Sequence, residues 1–146
     1  NLIGRYKMDE FSDNPFFEID RLLGRPEIQK CKIKLVDFHG EATSEKLAMG
    51  HYLKGRVSAL WGTHTHVQTS DARVLPGGTG YITDLGMTGA RDSVIGMNVD
   101  HALARFLGKP RERLSPGGPP GKLEGAIFEI DTETGVCKSA EAVRIE

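Results

Sequence analysis

Residues 57–66 read Val57-Ser58-Ala59-Leu60-Trp61-Gly62-Thr63-His64-Thr65-His66, an apolar run that stops at a glycine and delivers two histidines one residue apart. A short apolar run bounded in this way is the pattern of a buried strand. Side chains alternate along a strand with period two, so His64 and His66 are expected to leave its end on the same side. Two imidazoles converging at a strand's carboxyl end are well placed to bind metal.

The preceding segments give this strand its neighbours. Lys32-Ile33-Lys34-Leu35-Val36-Asp37-Phe38-His39 is rich in branched residues and reads as a strand, with Ile33, Leu35, Asp37 and His39 on one face and Gly40 at its end. Residues 41–54 read as a helix: Thr43 or Ser44 serves as the cap, Glu45 suits the positive first turn, and Gly55 suits the stop. Strand, helix and strand in succession form a βαβ-like unit and predict an α/β class. Sites in such folds lie outside the carboxyl ends of the strands. His39 and the pair His64 and His66 are therefore expected at one edge.

The flanks are more ordinary. Asp13-Asn14-Pro15 is a helix start, followed at helical spacing by Phe16, Ile19, Leu22 and Leu23 and closed by Gly24 and Pro26. Arg73-Val74-Leu75 and Tyr81-Ile82-Thr83 flank the turn-rich Pro76-Gly77-Gly78-Thr79-Gly80, which predicts a hairpin. That loop has no P-loop lysine and no helix directly after it, so a phosphate cradle there is the weaker reading. Asp84-Leu85-Gly86-Met87-Thr88-Gly89 is a second glycine-punctuated loop, residues 99–107 a short helix bearing His101, and residues 110–121 a loop. Residues 123–131 and 136–145 pair as a terminal β-hairpin through Thr132-Glu133-Thr134-Gly135.

Composition narrows the function classes. A chain of 146 residues supports one domain with a real core. Nineteen basic residues against twenty acidic ones leave no nucleic-acid footprint. No apolar run approaches the roughly 18 residues of a membrane span. Cys31 and Cys137 belong to no CxxC pair, which fits a reducing cytoplasm better than a disulfide framework. The chain opens Asn1-Leu2-Ile3-Gly4 without an initiator methionine, and the expectation is a fragment.

Each candidate residue has a bland rival. His51 and His101 each sit alone in a predicted helix and are read as ordinary residues. His64 and His66, crowded at the end of an apolar strand, would lose solvation if buried without partners, so a ligand role is the more economical account. His39 joins them as the third member. Asp37, Glu41, Asp71 and Asp84 either orient an imidazole or cap and turn the chain, and the second reading is preferred. Three histidines by themselves suggest a mononuclear zinc site with an open position for water. Such a site implies a Lewis acid and an activated water without naming a substrate.

Gly62-Thr63-His64-Thr65-His66 resembles the closing Gly-His-x-His type motif of calcineurin-like metallophosphoesterases. Asp37-Phe38-His39-Gly40-Glu41-Ala42-Thr43-Ser44-Glu45-Lys46 is similar to the segment holding their preceding metal histidine. With His66-Val67-Gln68-Thr69-Ser70-Asp71, Gly80-Tyr81-Ile82-Thr83-Asp84-Leu85-Gly86-Met87 and Asp92-Ser93-Val94-Ile95-Gly96-Met97, the set resembles the bacterial YmdB-like branch, 2′,3′-cyclic-nucleotide phosphodiesterases, along essentially the whole chain.

The resemblance implies a fold, a site and a reaction. The fold is a four-layer αββα sandwich, of which residues 1–146 would supply the C-terminal portion: about one sheet, its flanking helices and a closing hairpin. His39 and His64 would bind one metal and His66 the other, with iron or manganese the usual ions and zinc also possible. Two ions about 3.5–4 Å apart clamp a phosphate while a metal-activated hydroxide attacks phosphorus. Acid is expected to weaken metal binding, because neutral imidazole is the competent ligand. The family's aspartate, bridging carboxylate, asparagine and proton-donor histidine match nothing in this chain, so no catalytic residue is assigned within it. The same resemblance implies a small-molecule phosphoester substrate, a cytoplasmic location, inactivity of the portion alone, apolar surface meant for the absent half, and a homo-oligomer as one arrangement. Gly40 stands where alanine is expected, and residues 110–121 depart from the branch. The rival class is a non-catalytic metal-binding or assembly module that keeps only the three-histidine cluster.

Overall fold

The computed structural model describes residues 1–8, 13–110 and 113–146. Strand β1 (Leu2–Ile3) leads through helices α1 (Pro15–Leu23) and α2 (Pro26–Gln29) to β2 (Leu35–His39). Helix α3 (Thr43–Leu53) then returns the chain to β3 (Ala59–Thr63). A hairpin of β4 (Arg73–Leu75) and β5 (Thr79–Ile82) follows, then β6 (Gly89–Ala90), α4 (Val99–Phe106), β7 (Gly121–Ile130) and β8 (Cys137–Ile145). The α/β class and the terminal hairpin are as expected from the sequence.

The main sheet has the order β1-β2-β3-β5-β4, parallel except for β4 at its edge. Its carboxyl edge therefore collects the residues that follow β2, β3 and β5. The helical face is the core: Val36 and Phe38 of β2, Leu60 of β3 and Tyr81 of β5 pack with Ile19 of α1 and with Met49 and Leu53 of α3. A second sheet, β6-β7-β8, lies on the other side, where β8 packs on β4 and β5 and the Phe128 ring stacks on Trp61 at 6.0 Å. The β1–β2 end of that face stays open, with Ile3, Ile33 and Leu35 exposed.

Local chemistry explains the element ends. Asn14 accepts from the Phe16 amide and caps α1, Pro15 fills the first helical position, and Gly24 closes the helix. Helix α3 departs from expectation: its cap position is Ala42, with no side-chain bond, and Thr43 lies inside the helix. Its buried positions are Lys46, Met49, Gly50 and Leu53, a helical stripe in which one member is a lysine. The expected hairpin forms, but β5 begins at Thr79, so the turn is confined to residues 76–78. Gly77 and Gly78 there pack closely against Gly55 and Val136 at the amino end of β5. The expected loop over residues 110–121 is seen on both sides of residues 111–112, which lie outside the described residues. Cys31 is exposed and Cys137 buried, both as free thiols.

Candidate metal centre

In the register of β2 with β3, Asp37 lies beside Trp61, Phe38 beside Gly62 and His39 beside Thr63. Asp37, His39, Trp61 and Thr63 thus share the face away from α3, as the alternation of β2 predicts. Phe38 and Gly62 point to the helical side, where a Cβ on Gly62 would lie 1.8 Å from the Thr83 carbonyl oxygen and 2.7 Å from Lys46 Cδ. Only a residue without a side chain lets β3, Lys46 and Thr83 approach this closely.

The strand carrying the histidine pair ends earlier than its sequence suggests. β3 stops at Thr63, and His64 and His66 have φ values of 107° and 63°. Period-two alternation therefore does not extend to the pair, and the expectation that both imidazoles leave the strand on one side is corrected. Each left-handed conformation costs a non-glycine residue about 1–2 kcal/mol, so other contacts must hold this turn.

His39 and His64 do meet. Nε2 of His39 and Nδ1 of His64 are 3.0 Å apart, with the rings edge to face. Thr63 Oγ1 donates to Asp37 Oδ1 at 2.9 Å and lies 3.1 Å from His39 Nδ1. Having one proton, already given to Asp37, the hydroxyl accepts from His39, which assigns the His39 proton to Nδ1 and leaves a lone pair on Nε2. His64 Nε2 faces Glu41 Oε2 at 3.1 Å. His66 is exposed, and its Nδ1 donates to the Ile95 carbonyl at 3.0 Å rather than joining the pair.

His64 stands between a lone pair on His39 and a carboxylate, both acceptors. Neutral, it carries one proton for two acceptors, so one of its nitrogens must present a lone pair to another lone pair or to the carboxylate. A metal ion between His39 Nε2 and His64 Nδ1 would remove the conflict, because the His64 proton would then stay on Nε2 and be donated to Glu41. The donor set therefore suits a divalent cation. It does not make a complete cage: among the described residues no group of three or more His, Cys, Asp and Glu side chains is arranged to hold an ion.

Two of the four carboxylates read as caps and turn formers, Asp37 and Glu41, stand beside the imidazoles instead, while Asp84 does turn the chain by accepting the Gly86 amide and also reaches the turn that carries the histidines. Asp37 reaches His39 through Thr63, Glu41 faces His64, and Asp84, buried after β5, accepts from the Thr65 amide at 3.1 Å. Asp71 does shape the chain, accepting from Thr69 Oγ1, Thr83 Oγ1 and the Thr83 amide. Burial pushes its carboxyl upward, yet the Thr69 and Thr83 bonds outweigh that and hold it below the ordinary aspartate value. His51 is exposed on α3, and His101 Nδ1 on α4 lies 3.0 Å from Ser115 Oγ.

Sequence reasoning overlooked Thr63, Lys46 and Gln68. The Gln68 amide bonds the carbonyls of Leu85, Gly125 and Val143, tying the loop after the histidines to β7 and β8. Lys46 had a signal, its place in the apolar stripe of α3. Gln68 had none, because its partners are all backbone.

Solved structures share this fold, and proteins of known sequence are similar along the chain. The chain is 43% identical over 146 residues to the 2′,3′-cyclic-nucleotide 2′-phosphodiesterase of Bacillus subtilis (strain 168), covering all of this chain and 53% of that protein. The crystal structure of a hypothetical protein from Thermus thermophilus superposes with a TM-score of 0.87 at 44% identity, over 98% of this chain and 54% of that one. That of a novel phosphatase from Mycoplasma pneumoniae superposes with a TM-score of 0.88 at 37% identity, over 98% of this chain and 50% of that one. The chain thus spans about half the length of these relatives. The family model described as YmdB-like protein matches residues 1–143, and the chain belongs to that family.

Proposed function

We propose that this chain carries the histidine-rich part of a metal-dependent phosphodiesterase site acting on 2′,3′-cyclic nucleotides. The observation that carries the reading is the convergence of His39 and His64 to 3.0 Å at the carboxyl edge of a parallel sheet. Membership of the YmdB-like family and the name of the Bacillus subtilis relative support the reaction class.

In this reading His39 and His64 hold one divalent ion and His66 a second, with iron or manganese preferred and zinc compatible with the donors. The ions would supply positive charge to the phosphate and a water acidified to near neutral pH. Thr63 fixes the His39 ring so that Nε2 faces the site, and Glu41 offsets positive charge beside His64. The His66 proton on Nδ1 leaves its Nε2 lone pair available. Residues 1–146 form the C-terminal portion of one metallophosphoesterase domain, inactive alone, with the proton donor supplied from outside it. The partner is a small phosphoester rather than nucleic acid or membrane; among the described residues no helix is long and apolar enough to cross a membrane. A cytoplasmic location and self-association complete the proposal.

The test is hydrolysis of 2′,3′-cyclic AMP together with metal content in the full-length protein and its His64→Ala and His66→Ala variants. Loss of both metal and turnover is expected, and unchanged turnover in either variant overturns the assignment. The second reading is a non-catalytic metal-binding or assembly module, and the observation bearing on it is that His66 turns to Ile95, which leaves it the His39 and His64 pair rather than a three-histidine cluster. A full-length protein that binds manganese through His39 and His64 yet leaves cyclic nucleotides intact would establish that alternative.

A further inference from the structure

We infer that the buried ion pair of Lys46 and Asp84 is a positioning device that sets the backbone between His64 and His66 and thereby their capacity to bind metal, an inference that rests on the metal-site reading above. The Lys46 ammonium lies 2.7 Å from Asp84 Oδ2, and both side chains are only 1% exposed. The same oxygen accepts the Thr65 amide at 3.1 Å and the Thr65 hydroxyl at 2.7 Å. Thr65 is the one residue between the two histidines, each of which has a positive φ.

The rest of the carboxylate is also committed. Asp84 Oδ1 accepts the Gly86 amide at 3.0 Å, while the Asp84 amide donates to Thr69 Oγ1 and its carbonyl accepts the Thr69 amide. The aspartate therefore ties the turn after β3 to the loop after β5, and Lys46 ties both to α3. A buried carboxylate needs a full set of donors, and here they come from three segments of the site: Lys46 of α3, Thr65 of the turn after β3 and Gly86 of the loop after β5. A lysine in a helical stripe otherwise made of Met49, Gly50 and Leu53 is costly for the core alone. The ion pair is thus spent on geometry at the carboxyl edge. Neither Lys46 nor Asp84 touches an imidazole, so their action passes through Thr65.

The experiment measures Mn²⁺ binding to the full-length protein, by the fall of the free-ion electron paramagnetic resonance signal, in Thr65→Val, Thr65→Ser, His64→Ala and the double variant Lys46→Met/Asp84→Leu. Thr65→Val keeps the shape and loses the hydroxyl, and is expected to weaken Mn²⁺ about tenfold, the low end for partners that orient ligands. Thr65→Ser restores the donor and is expected to bind within about twofold of the parent. A purely structural Thr65 would show no such rescue. The double variant exchanges the ion pair for apolar contacts and is expected to stay folded by circular dichroism while binding Mn²⁺ weakly. Parental affinity in Thr65→Val, or in the folded double variant, with affinity lost in His64→Ala, overturns the inference and leaves the metal-site reading standing. Parental affinity in His64→Ala overturns that reading and the inference with it.

Discussion

Thr63 lies directly across the parallel pair from His39 and gives its only proton to Asp37, so the His39 Nδ1 proton has one acceptor waiting 3.1 Å away. A threonine hydroxyl thereby serves as relay between a carboxylate and an imidazole. The arrangement resembles in logic the carboxylate–histidine pairs that fix a ligand ring, with one hydroxyl interposed. Its effect is to hold a lone pair on Nε2 at the edge where His64 approaches.

That relay predicts a spectroscopic change that requires no metal. In Thr63→Val the Nδ1 proton loses its acceptor, and His39 is expected to populate both neutral tautomers instead of one. Nitrogen chemical shifts of the imidazole, measured above the histidine titration range, distinguish the two forms. Thr63→Ser keeps the hydroxyl and is expected to keep the single tautomer. An unchanged tautomer in the valine variant would mean that Thr63 does not set the ring.

Much of the fold was legible because its elements follow local rules. Asn14-Pro15 opened α1 and Gly24 closed it through groups lying within a few residues of one another. His39 was found at the end of β2 because the strand's own alternation continues to its last residue. The turn after β3 was not legible, since its conformation is decided by Asp84 and Lys46, nineteen residues or more away in the chain. The period-two rule describes a strand and fails one residue beyond it. The partners of Asp37 and Glu41 depended on register between strands and on that same turn, so carboxylates expected to cap and turn the chain became neighbours of imidazoles.

Gly62 supplies a prediction about stability rather than chemistry. A methyl group there would meet the Thr83 carbonyl oxygen at 1.8 Å, and backbone cannot rotate aside as a side chain can. Gly62→Ala is expected to force β3 from β5 and to cost about 3 kcal/mol, the upper range for overpacking. The midpoint of urea unfolding checks this. A loss under about 0.5 kcal/mol, the scatter of ordinary surface changes, would show that the strands separate without penalty.

The two members of the buried pair are predicted to be unequal to their sum. Lys46→Met removes the ammonium and leaves Asp84 charged in a site 1% exposed, which is expected to cost about 3–5 kcal/mol. Lys46→Met/Asp84→Asn removes both charges while leaving an amide oxygen to accept from Thr65 or Gly86, and is expected to recover most of that loss. A double-mutant cycle from urea unfolding curves measures the coupling. Additive losses would show that the two groups do not act as a pair.

Tyr81 makes the protein sensitive to alkali. Its ring is fully buried in the core, and its hydroxyl lies 3.0 Å from Thr83 Oγ1. Because Thr83 donates to Asp71, the Tyr81 hydroxyl is the donor in that contact, and ionising it would set a phenolate against an acceptor. Burial, with the nearby Asp71 charge acting in the same direction and the Arg73 charge against it, pushes the phenol up to about 12 from its usual 10. The unfolded chain releases this proton first, so the folded state is undisturbed below pH 10. Stability then falls by about 1.4 kcal/mol for each pH step above it, levelling off at just under about 3 kcal/mol above pH 12. Urea unfolding at pH 9 and at pH 11.5, compared between the parent and Tyr81→Phe, isolates this residue from the other titrating groups. The parent is expected to lose about 2 kcal/mol more than the variant over that interval, and equal losses would show that the phenol ionises as freely in the folded core as in the unfolded chain.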